Sequence, residues 1–315
     1  MSWILLTLIL AATITVGGFI DNYASDVVFK KRRAESFQAT SAIIYAILIA
    51  IILIFVGLQN LAWWHIAVFV LAGALDGAGN IPYFKALKFT ETTTATILRQ
   101  THAIFALVAG FLVLGQNISP LQLVAFIFIL GAAVAALLGG NKNRLKLGRN
   151  ALFLMLFAIF VWVISETIFV LAFNHADGDY LVGPSAIWTP LFWFSVGKGV
   201  LSGTLGFGLK SWRVRLKNVW IESPKNLALS VLGAHSIRVG ADYLWRYIIT
   251  IAPIALATAV NNVSRLFLTF GFGLAFSLVW PTFGREKITK KAVLHHLIGV
   301  VLAAIGVVLL QIHLN

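Results

Sequence analysis

The segment that decides the fold is TAVNNVSR, residues 258–265, inside a long apolar run that begins near Pro253 and ends near Pro281. Arg265 lies about 12 residues into this run, which is about 18 Å along a helix and close to the middle of a bilayer. An arginine at that depth costs from about 3 to well over 10 kcal/mol, so such residues face a protein interior or a wet cavity. The segment therefore predicts a membrane helix with one polar face turned toward a site.

A second arginine is placed in the same way in the first half of the chain. The segment TATILR, residues 94–99, sets Arg99 inside the apolar run from Glu91 to Leu114. In the second half, Asn261 and Asn262 precede Arg265 by four and three residues, so the three side chains share one helix face. We predict that Arg99 lies opposite Arg265 and the two asparagines, across one central cavity.

The composition places the whole chain in a membrane. Hydrophobic residues make up 60% of the sequence and charged residues only 11%, and the mean hydropathy is +0.92. Charged residues alone reach about 25% in a soluble domain. Cysteine is absent, which excludes disulfides and cysteine nucleophiles. Since lipid offers no partner to backbone polar groups, the spans must be helices. We predict an all-α polytopic membrane protein.

Ten apolar runs are long enough to cross a hydrocarbon core, which takes about 20 helical residues. They cover residues 3–25, 37–57, 63–87, 91–114, 119–140, 151–174, 182–208, 226–250, 253–280 and 292–313. We therefore predict ten transmembrane helices.

The loops between these runs alternate in charge. The net charge is +13, and most Lys and Arg residues lie in short loops, namely at 30–33, 85–88, 142–149, 210–217 and 285–291. By the positive-inside rule these loops are cytoplasmic, so both termini lie outside the cytoplasm, across what we take to be the cell (inner) membrane. Five helices in each half then have opposite orientations, which is the arrangement of an inverted repeat. We predict one repeat over 1–140, a basic cytoplasmic linker over 141–150 and a second repeat over 151–315.

The segments that end the two halves carry similar motifs. GQNIS follows the fourth predicted helix and GREKIT follows the ninth, and each precedes a helix with two small residues seven apart, Ala125 and Ala132 or Gly299 and Gly306. On these motifs the chain resembles the EamA-type family of the drug/metabolite transporter superfamily, although Gln116 stands where that family usually has Glu. The resemblance implies ten helices in two inverted repeats around a central cavity.

Charged residues are unevenly distributed among the predicted helices. Helices two and five have none, and helix ten has only His295 and His296 near its cytoplasmic end, so we predict that these three are lipid-facing scaffold. Helices one, three, four, six, eight and nine carry charges well inside the apolar runs. In the superfamily that the chain resembles, those are the helices that surround the cavity.

Two further helices contribute candidate substrate-binding residues. Asp76 and Asn80 are four residues apart in helix three, and Arg238 and Asp242 are four apart in helix eight. Asp76 and Arg238 lie at similar depth, and we predict a bridge between them. Two alternatives stay open in helix eight, because Asp242 can be neutralised within its own helix by Arg238 or by Arg246.

Lys198 lies in GKGVLSG, residues 197–203 of helix seven. Its long side chain either extends toward the membrane surface or reaches the substrate. The glycines around it permit close packing of helices.

Two acids occupy equivalent helices of the two halves. Asp21 lies in helix one and Glu166 in helix six. Desolvation favours the neutral form of an unpaired acid, so we predict Glu166 as the first proton-coupling group and Asp21 as the second. The alternative is that both acids are permanently paired with arginines.

Motifs of soluble enzymes are absent from the sequence, which contains no HExxH, no P-loop and no Rossmann glycine pattern. We predict no enzyme activity, no cofactor, no metal and no nucleic-acid partner. Residues 210–220, KSWRVRLKNVW, form either an interfacial amphipathic helix that binds anionic lipid headgroups or an ordinary basic loop.

Two functions are compatible with these features. The first is a secondary transporter of a small polar metabolite, an amino acid or organic anion, that works by alternating access. The second is a membrane scaffold or lipid-handling protein in which the buried charges specify helix packing. A transporter predicts a polar cavity on the order of several hundred Å³ that reaches one membrane face. The second function predicts side chains sealed in ion pairs.

Overall fold

The structure is a computed structural model in which the described residues form ten α-helices and no strand. It describes residues 2–27, 33–55, 57–86, 98–99, 101–138, 149–176, 186–210, 213–214, 217, 236–279 and 290–312. In chain order the helices are α1 (Trp3–Val27), α2 (Arg33–Phe55), α3 (Trp63–Ala86), α4 (Thr101–Leu112), α5 (Pro120–Leu138), α6 (Arg149–Ala176), α7 (Trp188–Gly208), α8 (Ser236–Ile251), α9 (Ile254–Val279) and α10 (Lys290–Ile312).

Each predicted span overlaps one of these helices, and the all-helical prediction is confirmed. The fourth span differs most, because α4 begins at Thr101 and Arg99 lies in the turn before it rather than within a helix. The predicted residues 91–97 of the fourth span and 226–235 of the eighth lie outside the described part of the chain.

Helices of the first half pack against helices of the second half. α3 contacts α6 and α7, α1 contacts α8 and α9, and α4 contacts α6 and α9. α2 packs on α7, and α5 packs on α10. The halves are therefore interleaved, and side chains that are far apart in sequence meet between them.

α3 and α7 cross at unusually short range. A Cβ atom on Gly73 would lie only 1.9 Å from the carbonyl oxygen of Phe194, and one on Gly197 would lie 1.9 Å from the carbonyl oxygen of Val70. Only glycine fits at these two positions, because any side chain would push the backbones apart. The crossing brings Asp76, three residues after Gly73, next to Lys198.

Small residues also form the contact between α5 and α10. A Cβ on Gly299 would lie 2.9 Å from the carbonyl oxygen of Ala132, and one on Gly306 would lie 2.9 Å from that of Ala125. The small residues that are seven apart in both helices therefore face each other. This pair packs at the side of the bundle.

The outer surface of the bundle is apolar. Large hydrophobic side chains such as Ile54, Phe55 and Leu112 are 73%, 78% and 71% exposed, an amount of apolar surface that marks a membrane contact. Among the described residues, two helical segments are long and apolar enough to cross a membrane, Trp63–Tyr83 and Arg149–Ala176. Five other helices contain shorter apolar stretches, at Trp3–Gly17, Ala42–Ile51, Thr101–Leu112, Pro120–Ala132 and Leu297–Leu309.

Candidate functional site

A polar cavity of about 100 Å³ lies between the two halves. Its charged and amide lining comes from α3, α6, α7, α8, α9 and the turn before α4, and consists of Asp76, Asn80, Arg99, Glu166, Lys198, Asp242, Asn261, Asn262 and Arg265. Ile14 of α1, Tyr45 of α2 and His102 of α4 also line it. Among the described residues, α5 and α10 contribute nothing to this lining, in agreement with a scaffold position.

Lys198 is the centre of a buried ion network. Its Nζ lies 2.5 Å from Oδ2 of Asp76 and 2.5 Å from Oδ2 of Asp242, and the residue is 5% exposed. The Gly73–Gly197 crossing sets the short distance between α3 and α7. Lys198 therefore does not extend toward the membrane surface, since its ammonium is held between two carboxylates.

Arg246 compensates the second oxygen of Asp76. Its Nη2 lies 2.9 Å from Asp76 Oδ1 and donates to Ser165 Oγ at 3.3 Å. The guanidinium lies 4.2 Å from the ring centroid of Phe194 and 5.3 Å from that of Phe169. Nε and Nη1 have no hydrogen-bond partner among the described residues. The cation–π contacts with the two rings offset part of the cost of burying this charge.

Asp242 receives a hydrogen bond from α2 as well as the ammonium of Lys198. The hydroxyl of Tyr45 donates to Asp242 Oδ2 at 2.7 Å. α2 was expected to be lipid-facing scaffold, but its Tyr45 also contributes to the polar network. The network therefore joins α2, α3, α7 and α8, and its two carboxylates are balanced by Lys198 and Arg246.

Glu166 lies in a separate cluster on the same cavity. The residue is 3% exposed; its Oε2 lies 3.0 Å from Nε2 of His102, and its Oε1 accepts from Nε1 of Trp245 at 2.8 Å. These partners come from α4 and α8. The hydrogen in this contact lies either on Nε2 of His102 or on Oε2 of Glu166, because the histidine tautomer decides which atom donates.

Arg99 lies on the cavity wall beside two aromatic rings. Its guanidinium carbon is 5.4 Å from the ring centroid of Tyr83 and 5.2 Å from that of Trp162. The carbonyl of Arg99 accepts from the backbone N–H of His102 at 3.0 Å and from Nδ2 of Asn262 at 3.1 Å. Asn262 thus ties the turn that carries Arg99 to α9.

Most of the candidate site residues meet at this cavity. Eight of them line it together, namely Asp76, Asn80, Arg99, Glu166, Asp242, Asn261, Asn262 and Arg265. Asp21 and Arg238 lie in α1 and α8, and their side chains are outside the described part of the structure.

Two expected pairings can be compared with the ion pairs in the structure. Asp76 was expected to bridge to Arg238, whose side chain lies outside the described part of the structure, and the described partners of Asp76 are Lys198 and Arg246. Arg246 was one of two candidates to neutralise Asp242, but its carboxylate partner is Asp76. The reason is that the close α3–α7 crossing brings Lys198 to Asp76 and Asp242, which leaves Arg246 for the other oxygen of Asp76.

Sequence reasoning missed Tyr45 and Trp245. Trp245 follows Asp242 by three residues, and this spacing places both on the cavity face of α8. Tyr45 follows Ser41 by four residues and Gln38 by seven, but no charged residue lies within one turn of it to mark this face of α2 as part of a site. Of the basic segment 210–220, only residues 210, 213–214 and 217 are described.

The comparisons with known proteins concern the fold and the first half of the chain. Residues 1–138 match the EamA-like transporter family, whose members are integral membrane transporters of the drug/metabolite transporter superfamily. The resemblance read from the sequence is thereby confirmed over these residues. No curated protein matches the sequence. A solved structure titled "Crystal structure of protein" covers 99% of this chain and 97% of its own, with a TM-score of 0.63 and 16% identity. At that identity the match concerns the fold alone.

Proposed function

We propose that this chain, whose first 138 residues match the EamA-like transporter family, is a secondary transporter of a small polar metabolite, with an amino acid or an organic anion favoured. The observation that carries the proposal is the cavity between the halves, into which Arg99 and Arg265 both project. Arg265 is the twelfth of the 26 residues of α9, so the site lies about 18 Å from the start of the helix. Ionisable groups at such depth mark substrate pathways.

The ten helices are proposed to cross the membrane as two inverted repeats, 1–140 and 151–315, joined by the linker 141–150. Several of the helix contacts support this, because they occur in equivalent pairs, although the α3–α7 crossing has no comparable α8–α2 contact among the described residues. α1 contacts α8 and α9, and α6, five helices later, contacts α3 and α4, the equivalents of α8 and α9. α2 with α7, α4 with α9 and α5 with α10 each pair with their own equivalent. An inverted repeat with a two-fold axis has these contacts.

The charge balance of the site supports an anionic or zwitterionic substrate. Four cations, Arg99, Lys198, Arg246 and Arg265, and three acids, Asp76, Glu166 and Asp242, lie at or beside the cavity. With neutral histidine, these described residues carry one positive charge in excess, and a ligand carboxylate or phosphate would balance it. Arg99, Arg265, Asn80, Asn261 and Asn262 are proposed to contact the substrate directly. Asp76, Asp242 and Arg238 are proposed to do so in a conformation that opens the network around Lys198.

Proton coupling is proposed to depend on Glu166, with Asp21 as the second candidate. The geometry supports Glu166, because the contact between its Oε2 and His102 Nε2 gives a proton two adjacent positions beside the cavity. Gain or loss of that proton would change the charge of the cavity.

Alternating access is proposed for the transport step. A cavity of about 100 Å³ is smaller than the several hundred Å³ expected of a transporter open to one face, and typical ligand sites span about 300–1,000 Å³. We assign this conformation to a closed state in the cycle. Opening would require α3 to separate from α7 and α8, and Asp76 would then part from Lys198 and Arg246.

The orientation proposed from the loop charges places both termini outside the cytoplasm, in the cell (inner) membrane. The basic segment 210–220 then faces the cytoplasm, where anionic lipid headgroups would attract it.

The second candidate function is a membrane scaffold or lipid-handling protein. The observation that favours it is the network of Asp76, Asp242, Lys198 and Arg246, whose charges compensate one another without a ligand. It does not account for Arg99, which has no carboxylate partner among the described residues.

Flux measurements separate the two functions. The purified chain would be reconstituted in proteoliposomes and offered radiolabelled amino acids and small carboxylates, with protein-free liposomes as the control. We expect at least one of these compounds to exchange faster through the proteoliposomes. Equal rates for every compound would exclude transport of amino acids and small carboxylates and would favour the scaffold.

A further inference from the structure

The charged side chains in and beside the cavity differ in how many oppositely charged partners they contact. Lys198 contacts two carboxylates, and Arg246 contacts one. Glu166 is bonded through both oxygens. Arg99, in contrast, makes no ion pair with any residue in the described part of the chain, where its side chain contacts the faces of Tyr83 and Trp162.

The two aromatic rings that contact Arg99 are held in place by contacts between α3 and α6. Trp162 of α6 donates its Nε1 hydrogen to the carbonyl of Asp76 at 3.3 Å. Its ring passes over Gly79, where a Cβ would lie 2.6 Å from Nε1. Tyr83 lies one turn after Gly79 on α3, and its ring centroid is 5.3 Å from that of Trp162. α3 and α6 therefore hold two ring faces in place for a single cation.

Contact with ring faces leaves the hydrogen-bonding edge of a guanidinium available. A stacked arginine keeps its N–H groups in the plane of the guanidinium, where they match the two oxygens of a carboxylate. Nε of Arg99 is buried and has no hydrogen-bond acceptor in the described part of the chain. A buried donor without an acceptor is costly, and a ligand oxygen would remove that cost.

A second unsatisfied group lies on the same cavity. Asn261 is 7% exposed, and none of the described residues gives its Oδ1 a hydrogen bond. Its carboxamide can therefore take a hydrogen bond from the ligand, while Arg99 needs an acceptor. One small molecule that carries both an acceptor and a donor would satisfy both of these groups.

We infer that Arg99, seated on Tyr83 and Trp162, is the group that binds the carboxylate of a small ligand, and that Asn261 bonds the adjacent amino or hydroxyl group. The ligand class is a short 2-amino or 2-hydroxy carboxylate. This inference rests on the proposed function, since it names the substrate class of the same cavity. Lys198 and Arg246 hold the helices together and do not contact the carboxylate.

The test is a binding measurement on the full-length protein in detergent. Thermal stability would be followed with glycine, L-alanine, glycolate and L-lactate, each compared with its primary amide, which keeps the shape and removes the charge. We expect at least one carboxylate to raise Tm more than its amide. In Arg99→Gln the difference in Tm between carboxylate and amide should disappear. The loss of one charge-assisted hydrogen bond corresponds to about a ten- to hundredfold lower affinity for the carboxylate.

Arg149→Gln is the matched control, because it removes an exposed arginine at the first residue of α6, outside the cavity. It should keep the full preference for carboxylates. Arg99→Lys should keep only part of it, since an ammonium lacks the planar pair of donors. If carboxylates and amides stabilise the parent protein equally, or if Arg99→Gln retains the preference, the inference is wrong.

A second measurement needs no variant, in case Arg99→Gln does not fold. Phenylglyoxal modifies arginine side chains, and mass spectrometry of the modified protein reports the extent at Arg99. The carboxylate should slow modification at Arg99 and leave that at Arg149 unchanged, while the amide should protect neither. Equal modification of Arg99 with either compound would overturn the assignment.

The two hypotheses fail in different ways. Carboxylate binding at Arg99 without flux in proteoliposomes would contradict the transport function and support the binding site. Flux of a compound without a carboxylate, together with no carboxylate binding, would support the transport function and contradict the binding site.

Discussion

The ammonium of Lys198 on α7 lies 2.5 Å from Oδ2 of Asp76 on α3. This contact joins the second half of the chain to the first at the point where Gly73 and Gly197 let the two helices cross. The same ammonium also contacts Asp242 of α8 at 2.5 Å. Three helices therefore meet at one positive charge.

Removal of that charge should destabilise the protein. Lys198→Met keeps the length of the side chain but leaves Asp242 without this cation and Asp76 with Arg246 alone. Breaking a buried pair in this way costs about 3–5 kcal/mol, so we expect a clear decrease in Tm in detergent. Lys85→Gln, an exposed position in the last turn of α3, is the control and should change Tm little. A Lys198→Met protein as stable as the parent would show that the network contributes nothing to stability.

The helix crossing can be tested without a change of charge. In Gly197→Ala the new Cβ would lie 1.9 Å from the carbonyl oxygen of Val70, so α3 and α7 must separate. We expect a loss of about 2–4 kcal/mol, typical of severe overpacking or of a strained contact. Gly203→Ala, in the same helix, meets only the Cβ of Ala42 at 3.9 Å. The control should therefore be near neutral in the same Tm measurement, and equal effects of the two substitutions would contradict the crossing.

Proton coupling can be tested at Glu166. Glu166→Gln keeps the shape of the side chain and an oxygen for Trp245, but it removes the group that gains and loses the proton. We expect flux in proteoliposomes to continue without its response to a pH gradient. Asp21→Asn is the parallel variant for the second candidate. If both variants respond to the gradient like the parent, neither acid couples protons.

The membrane orientation can be tested with single cysteines, since the chain contains none. Ser2→Cys places a thiol at an exposed position before α1, and Lys217→Cys places one in the basic segment. In intact cells a membrane-impermeant maleimide should label Ser2→Cys at once. Lys217→Cys should react only after permeabilisation, and the reverse pattern would overturn the orientation.

Much of the site could be predicted because it depends on local spacing. Asn261, Asn262 and Arg265 share a helix face by their three- and four-residue separations, and the cost of an arginine in lipid requires that face to turn inward. The same argument placed Asp76 and Asn80 together on α3. These residues line one cavity in the structure. Periodicity and burial cost are properties of a single helix, so the sequence contains them.

The pairing of the charges could not be predicted, because it depends on how helices are placed against one another. Asp76 has several cations at similar depth, and the sequence does not say which comes within about 4 Å. The close crossing at Gly73 and Gly197 brings Lys198 within this distance of Asp76. Tyr45 belongs to the site for the same reason, since the rotation of α2 about its axis determines that its hydroxyl reaches Asp242.

By itself, then, the sequence determined that the chain is an all-helical membrane protein with polar faces on particular helices, because hydropathy and helical period follow from composition and order. Only the tertiary structure decided that Lys198 and Arg246 form ion pairs while Arg99 contacts Tyr83 and Trp162 and pairs with no carboxylate among the described residues. An ion pair requires contact within a few ångströms, and that distance is set by the packing of the whole bundle.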